Sequence, residues 1–316
     1  MKNHLPHLAL FLALVAAFGL QLAGPQIDDY AVNILVLIGI NITLAVSLNL
    51  VNGHTGQFSL GHAGFMAAGA YASSIVTLAF APSVAAAGPW AVQAFFVGAL
   101  LLGGAVAALC GLLVGLPSLR LRGDYLAIVT LGFGEIIRVV IQNTEALGGA
   151  RGLEGIPPYT TLFWTFGTAA ITIYVVASLV NSTYGRGFLA VRDDEIAAEA
   201  MGINTTKYKV VAFVTGAFFA GLAGGLYAHF ITYIAPEGFN FLKSVDVVVM
   251  VILGGMGSTP GVIAAAILLT LLNEWLRDFE QYRMIIFALL LIVLMIVRPQ
   301  GLLGNFRGWP RKAART

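Results

Sequence analysis

The sequence predicts an all-α, polytopic integral membrane protein forming a single transmembrane domain over residues 1–316. Three observations predict it. Charged residues make up only 10% of the chain and apolar ones 59%, far from the roughly 25% charged of soluble domains. Apolar runs long enough to cross a bilayer, about 17 to 25 residues, fall near 6–23, 31–51, 57–80, 90–116, 124–142, 161–181, 209–231, 241–257, 260–276 and 284–299. About ten transmembrane helices are therefore expected, some of them broken or interrupted by glycine. With the N-terminus inside, 12 of 17 basic residues lie on the cytoplasmic side and 10 of 15 acidic residues on the other, satisfying the positive-inside rule. Both termini and the polar stretch 181–209 are thereby expected in the cytoplasm.

The same composition excludes other classes. A net charge of +2 is too small to suggest nucleic acid. The one cysteine, Cys110, lies within an apolar run and allows no intrachain disulfide. Residues 1 to about 23 are read as a retained span. A cleaved leader is the rival reading, but no small-x-small cleavage site follows, and removal would break the even number of spans.

The first interruption is Asn49-Leu-Val-Asn-Gly-His-Thr-Gly-Gln-Phe-Ser-Leu-Gly-His-Ala-Gly64, where polar side chains and glycines replace apolar membrane sequence. Non-helical backbone at membrane depth persists only where protein or a water-filled cavity satisfies it, and broken helices border substrate paths in transporters. Asn41, Asn49 and Asn52 fall within about 80 degrees of a helical wheel, so with Gln57, Ser59 and His62 they are candidates for a translocation path. The rival reading makes the amides glue between helices. His54 and His62 have no Cys, Asp or Glu beside them, so no metal site is expected there.

Further along, Gly111 with Gly115 and Gly221 with Gly225 are small-xxx-small pairs that allow close helix approach. Glu135 and Arg138, three residues apart, are expected to form an intramembrane ion pair, because pairing lowers the cost of burying charge. The loop 143–158 is expected outside, where a partner can meet it. A second glycine-rich break, Gly254-Gly-Met-Gly-Ser-Thr-Pro-Gly261, is read as a tight turn and resembles the first only weakly. The two are candidates for marks of an internal repeat.

Between two apolar runs lies the chain's one long charged stretch, Asn181 to Lys209. Asp193, Asp194 and Glu195 suit a helix first turn, the alanines after them are strong helix formers, and Gly202 sits where a helix stops. Ile196, Ala200 and Ile203 then share one face and Glu195 and Glu199 another, a small apolar knuckle with an acidic flank. Such a face needs a partner. No lysine follows a glycine anywhere, so the ATP-binding signature G-x-x-x-x-G-K-[ST] cannot occur. No set of nucleophile, base and metal ligands suggests a membrane enzyme either. A polar broken-helix path and a cytoplasmic knuckle point to a transporter subunit driven by another protein.

Three stretches carry a resemblance: Asn52 to Gly64 as quoted, Arg122-Gly-Asp-Tyr-Leu-Ala-Ile-Val-Thr-Leu-Gly-Phe-Gly-Glu-Ile-Ile-Arg138, and Arg192-Asp-Asp-Glu-Ile-Ala-Ala-Glu-Ala-Met-Gly202. In this order they resemble the motifs of the M-type permease of high-affinity branched-chain amino acid ATP-binding cassette importers. The resemblance implies an inner-membrane subunit for leucine, isoleucine and valine, paired with an H-type permease, two ATPase subunits and a periplasmic or extracellular substrate-binding protein. It implies that Arg192, Asp193, Glu195, Ile196, Ala197, Glu199, Ala200 and Gly202 form the segment that couples to the ATPase. ATP and magnesium would be used by those partners, with no cofactor on this chain. A urea or short-amide importer is the rival within that resemblance. A stand-alone secondary transporter is the rival outside it, with Glu135 and Arg138 a poor ion relay.

Overall fold

The computed structural model describes residues 5–86, 88–118 and 124–279, with a few positions between 282 and 302. Among them the chain is mostly helical, without a β-strand element. The helices are α1 (Leu5–Ala23), α2 (Asp29–Asn49), α3 (His62–Ala86), α4 (Pro89–Ser118), α5 (Asp124–Gln142), α6 (Leu162–Asn181), α7 (Gly185–Asp193), α8 (Glu195–Ala200), α9 (Thr205–Ile231), α10 (Phe241–Gly254) and α11 (Thr259–Trp275).

Seven helices are long and apolar enough to cross a membrane: α1 to α6 and α9. The chain is thus a polytopic membrane protein, but one of the expected spans, 241–257, is shorter. α10 has 14 residues, about 21 Å at 1.5 Å per residue, against about 30 Å of hydrocarbon. It ends early because Gly255 takes φ 95, which stops the helix inside an apolar run. α11 has 17 residues. The expected span at 284–299 lies outside the described residues.

α3, α4 and α9 form the tightest part of the bundle. A methyl group added at Gly69 would lie 2.2 Å from the Gly221 Cα, and one added at Gly103 would lie 2.7 Å from the Gly69 carbonyl oxygen. The expected small-residue pairs sit in the same seam: Gly111 meets Ala217, and Gly225 meets Leu100 and Ser73. Backbones that close gain dispersion contact along their length. α2 packs beside this trio with most of its second half buried, and α10 and α11 lean on it. α1 packs against α6 and keeps its other face exposed, with Phe11, Leu12, Val15 and Phe18 outward.

At one end of the bundle, residues 143–158 meet the turn after α9: the Leu153 N–H donates to the Ile234 carbonyl at 2.9 Å, and Ile234 N–H to Leu153 at 3.0 Å. From there the chain dips inward through a short 3-10 turn, Pro236–Phe239, with Ile234 1% and Phe239 3% exposed. Tyr71 packs edge-on against Phe239, although it lies nine residues, about 14 Å, along α3. This third interruption was not among those expected from the sequence, since 232–240 reads as an ordinary outer loop. At the opposite end lie both expected breaks and the α7–α8 elbow.

Candidate functional site: two helix breaks and an elbow

The first break is built from residues that cannot continue an α-helix and a scaffold that satisfies them. α2 widens into a π turn over Leu50–His54, a geometry common at functional positions, and Thr55 to Gly61 run without helix. The Thr55 hydroxyl donates to the Val51 carbonyl at 2.6 Å, and the Gln57 N–H to the same carbonyl at 3.1 Å. Thr130 on α5 accepts from the Leu60 N–H at 3.0 Å. Ser244 on α10 accepts from the Ala63 N–H at 3.0 Å.

The asparagine stripe is hydrogen-bonded within the chain. Asn41 donates to the Thr270 hydroxyl at 2.9 Å, tying α2 to α11. Asn49 accepts the Gly257 N–H at 2.9 Å and faces His54. Asn52 accepts the Ser59 N–H at 3.1 Å. His62 shares a hydrogen bond of 2.9 Å with Ser47. Asn49, Asn52 and His62 brace the first break, while Asn41 joins two helices, contacts of the kind the glue reading describes. Two of the candidates differ. Both amide atoms of Gln57 and the Ser59 hydroxyl are buried, and among the described residues they have no hydrogen-bond partner. Buried polar groups without partners are uncommon.

The second break is a turn, as expected, with Gly255 and Gly257 at φ 95 and 84. What the sequence did not reveal is that it sits on the first break. A Cβ at Gly53 would lie 2.2 Å from the Gly257 nitrogen, so only glycine permits the contact. A third segment closes on the same turn, where the Leu302 N–H donates to the Leu253 carbonyl at 2.7 Å.

Above this pair lies the elbow. α7 is held by Phe188, fully buried, which meets Tyr184 and Tyr208 edge-on. Burial and then the neighbouring Tyr208 push the Tyr184 hydroxyl above its ordinary range. α8 starts on Asp194, whose carboxylate accepts the Ile196 and Ala197 N–H groups at 2.9 and 3.0 Å, a helix N-cap. It stops at Gly202, at φ 81. Asp194 is thus the cap and Asp193 ends the preceding helix, where the sequence suggested one acidic first turn. Ala198 points inward, while Ile196 is 65% and Met201 82% exposed, and Ala197 and Ala200 lie beside them on the surface. The outward knuckle therefore includes Met201 in place of the half-buried Ile203. The acidic flank is tied to the chain: Lys209, 3% exposed, pairs with Glu195 at 2.5 Å, and the Thr205 hydroxyl donates to the exposed Glu199 at 2.7 Å. Arg192 pairs with Asp193 at 2.7 Å and lies across the first break, its Cγ 3.0 Å from where a Gly56 Cβ would stand.

A family model described as branched-chain amino acid transport system / permease component matches residues 30–297. The chain belongs to this family. It is 38% identical to the high-affinity branched-chain amino acid transport system permease protein LivM of Escherichia coli, over 94% of this chain and 75% of that protein. A probable LivM of Methanocaldococcus jannaschii is 25% identical over 66% of the chain and 69% of its own length. The high-affinity branched-chain amino acid transport system permease protein LivH of Escherichia coli is 26% identical, over 83% of the chain and 90% of its own length. No solved structure matches.

As a permease component of a branched-chain amino acid transport system, the chain needs a route for its solute but no reaction centre. The expected Glu135–Arg138 pair is present at 2.7 Å on α5, with the side chains about a quarter to a third exposed. Glu135 borders a cleft of about 10 Å³ between α5, Leu60, Gly64 and Phe241, about the space of one water. The permease exposes Tyr125, Ile128, Ile136 and Val140 along the same helix, an apolar face suited to lipid or another membrane helix.

Proposed function

We propose that this permease is one of two membrane subunits of an ATP-driven importer that carries leucine, isoleucine or valine inward. An H-type permease stands beside it, two ATPase subunits beneath it, and a substrate-binding protein delivers solute at the 143–158 end. The observation that carries the reading is the exposed knuckle of α8: Ile196, Ala197, Ala200 and Met201 project from a capped helix that Glu195 ties to the buried Lys209. A short helix fixed that firmly to α9 transmits a push instead of absorbing it. ATP and magnesium belong to the ATPases. Closure of those subunits moves α8, biases the bundle between two states and switches access. The orphaned Gln57 and Ser59 are the path groups free to meet a polar solute.

The test is uptake by the purified complex in proteoliposomes. Leucine uptake should require ATP inside and the binding protein outside, resist an ionophore, and yield to valine but not to urea or acetamide as competitor. Uptake driven by an ion gradient without ATP would refute the reading in favour of a secondary transporter. Sidedness is checked by labelling cysteines at Thr206 and Ala146, both exposed: the first should react only from the cytoplasm and the second only from outside.

A further inference from the structure

We propose that Arg192 is a positioning residue that joins the α7–α8 elbow to both helix breaks, so that a displacement of α8 moves the two breaks as one body. The proposal rests on the function proposed above and says where the motion goes next.

The geometry is specific. The Arg192 backbone and stem lie directly over the first break: a Cβ at Gly56 would stand 3.2 Å from the Arg192 Cα and 3.5 Å from its Cβ. Its guanidinium reaches the second break, where a Cβ at Gly257 would stand 3.5 Å from Nη1. The two breaks are already joined to each other. Gly257 donates to Asn49 at 2.9 Å, and its Cβ position is 3.2 Å from the Gly53 carbonyl oxygen. One long side chain thus touches segments about 200 residues apart in sequence, each at a glycine that admits close approach. Asp193 fixes the guanidinium through Nε at 3.0 Å and Nη2 at 2.7 Å, so the arm is held and not swinging.

Packed elements move as units when their contacts are close and saturated, and hinge where helix hydrogen bonds are interrupted. Here the close contacts run from elbow to breaks, and helix hydrogen bonds are interrupted at the breaks themselves, where α2 and α10 end. Pushing α8 therefore tilts the paired breaks against the ends of those helices, beside the unpartnered Gln57 and Ser59.

The test uses the complete importer in proteoliposomes and reads ATP hydrolysed per leucine transported. Arg192→Met should raise that ratio by about tenfold, within the usual range of coupling factors. The second variant restores the link by another bond. Gly56→Cys with Arg192→Cys, in a Cys110→Ser background, places two Cβ atoms about 3.5 to 4.5 Å apart, the span of a disulfide. Reduced, this variant should uncouple like Arg192→Met; oxidised, it should recover a ratio within about twofold of the single Gly56→Cys variant. Two results overturn the proposal: hydrolysis and uptake falling in equal proportion in Arg192→Met, or a disulfide that arrests uptake until reduced. The first would make Arg192 part of ATPase docking, and the second would show that the elbow slides over the breaks. A native complex with no ATP-driven leucine uptake would refute the functional reading itself, and the proposal with it.

Discussion

At the crossing of α3, α4 and α9, Gly69, Gly103 and Gly221 lie inside unbroken helices, whereas Gly53 lies in the π turn and Gly56 and Gly257 lie where helix has stopped. In both regions a glycine lets backbone touch backbone, with would-be Cβ contacts of 2.2 Å at Gly69 and at Gly53. The surrounding hydrogen bonds differ. At the crossing every peptide group is paired within its own helix, so removing the contact costs packing alone. At the breaks the peptide groups are paired by side chains from elsewhere, such as Asn49 to Gly257 and Thr130 to Leu60. The first arrangement resists deformation, and the second can exchange partners at modest cost, since a typical hydrogen bond nets only about 0.5 to 1.5 kcal/mol.

Four substitutions probe this distinction. The largest effect is expected from Gly69→Ala, whose methyl would collide with the Gly221 backbone, neither of which can step aside. Overpacking of this kind costs about 1 to 3 kcal/mol, and should appear as a lower thermal midpoint and folded yield in detergent. Next comes Asn49→Leu, which leaves the Gly257 N–H unpaired. Uptake should be abolished while the complex still assembles; unchanged uptake would remove the breaks from the moving parts and erase the contrast. Ala200→Trp enlarges the exposed knuckle and should lower co-purification of the ATPase by an amount corresponding to about 1 to 3 kcal/mol. Full binding together with full solute-stimulated hydrolysis would show that α8 is not the contact. Glu199→Gln should matter least, because the glutamine oxygen still accepts from Thr205 and an exposed charge contributes only about 0 to 1 kcal/mol.

How much of this was legible depends on the range of the interactions involved. The elbow was readable because its signals are local: an acidic cap, alanines and a terminating glycine within ten residues. The first break was readable for the same reason. The partners of its amides were not, since Asn49 finds Gly257 208 residues away and Asn41 finds Thr270 229 residues away, distances over which a single sequence carries no pairing signal. α10 is shorter than the apolar run 241–257 because hydropathy measures apolar length, and Gly255 ends the helix before the apolar run ends. The dip at 232–240 escaped because Thr232 reverses the chain at φ 63, a conformation uncommon for a non-glycine residue. Met201 escaped because Gly202 turns the chain before Ile203 can join the face it would share on an ideal helix.

The bond between Asn49 and Gly257 also sets a clock on how the molecule is made. With 208 residues between them and synthesis at about 5 to 20 residues per second, the Asn49 amide waits about 10 to 40 s for its partner to leave the ribosome. Throughout that interval the first break stands in the membrane with one of its amides unanswered, hydrated or held by the insertion machinery. The hinge is therefore late to set, and a nascent chain halted before Gly257 carries six helices that qualify as spans, and a seventh in α9, around a polar gap that nothing has yet closed.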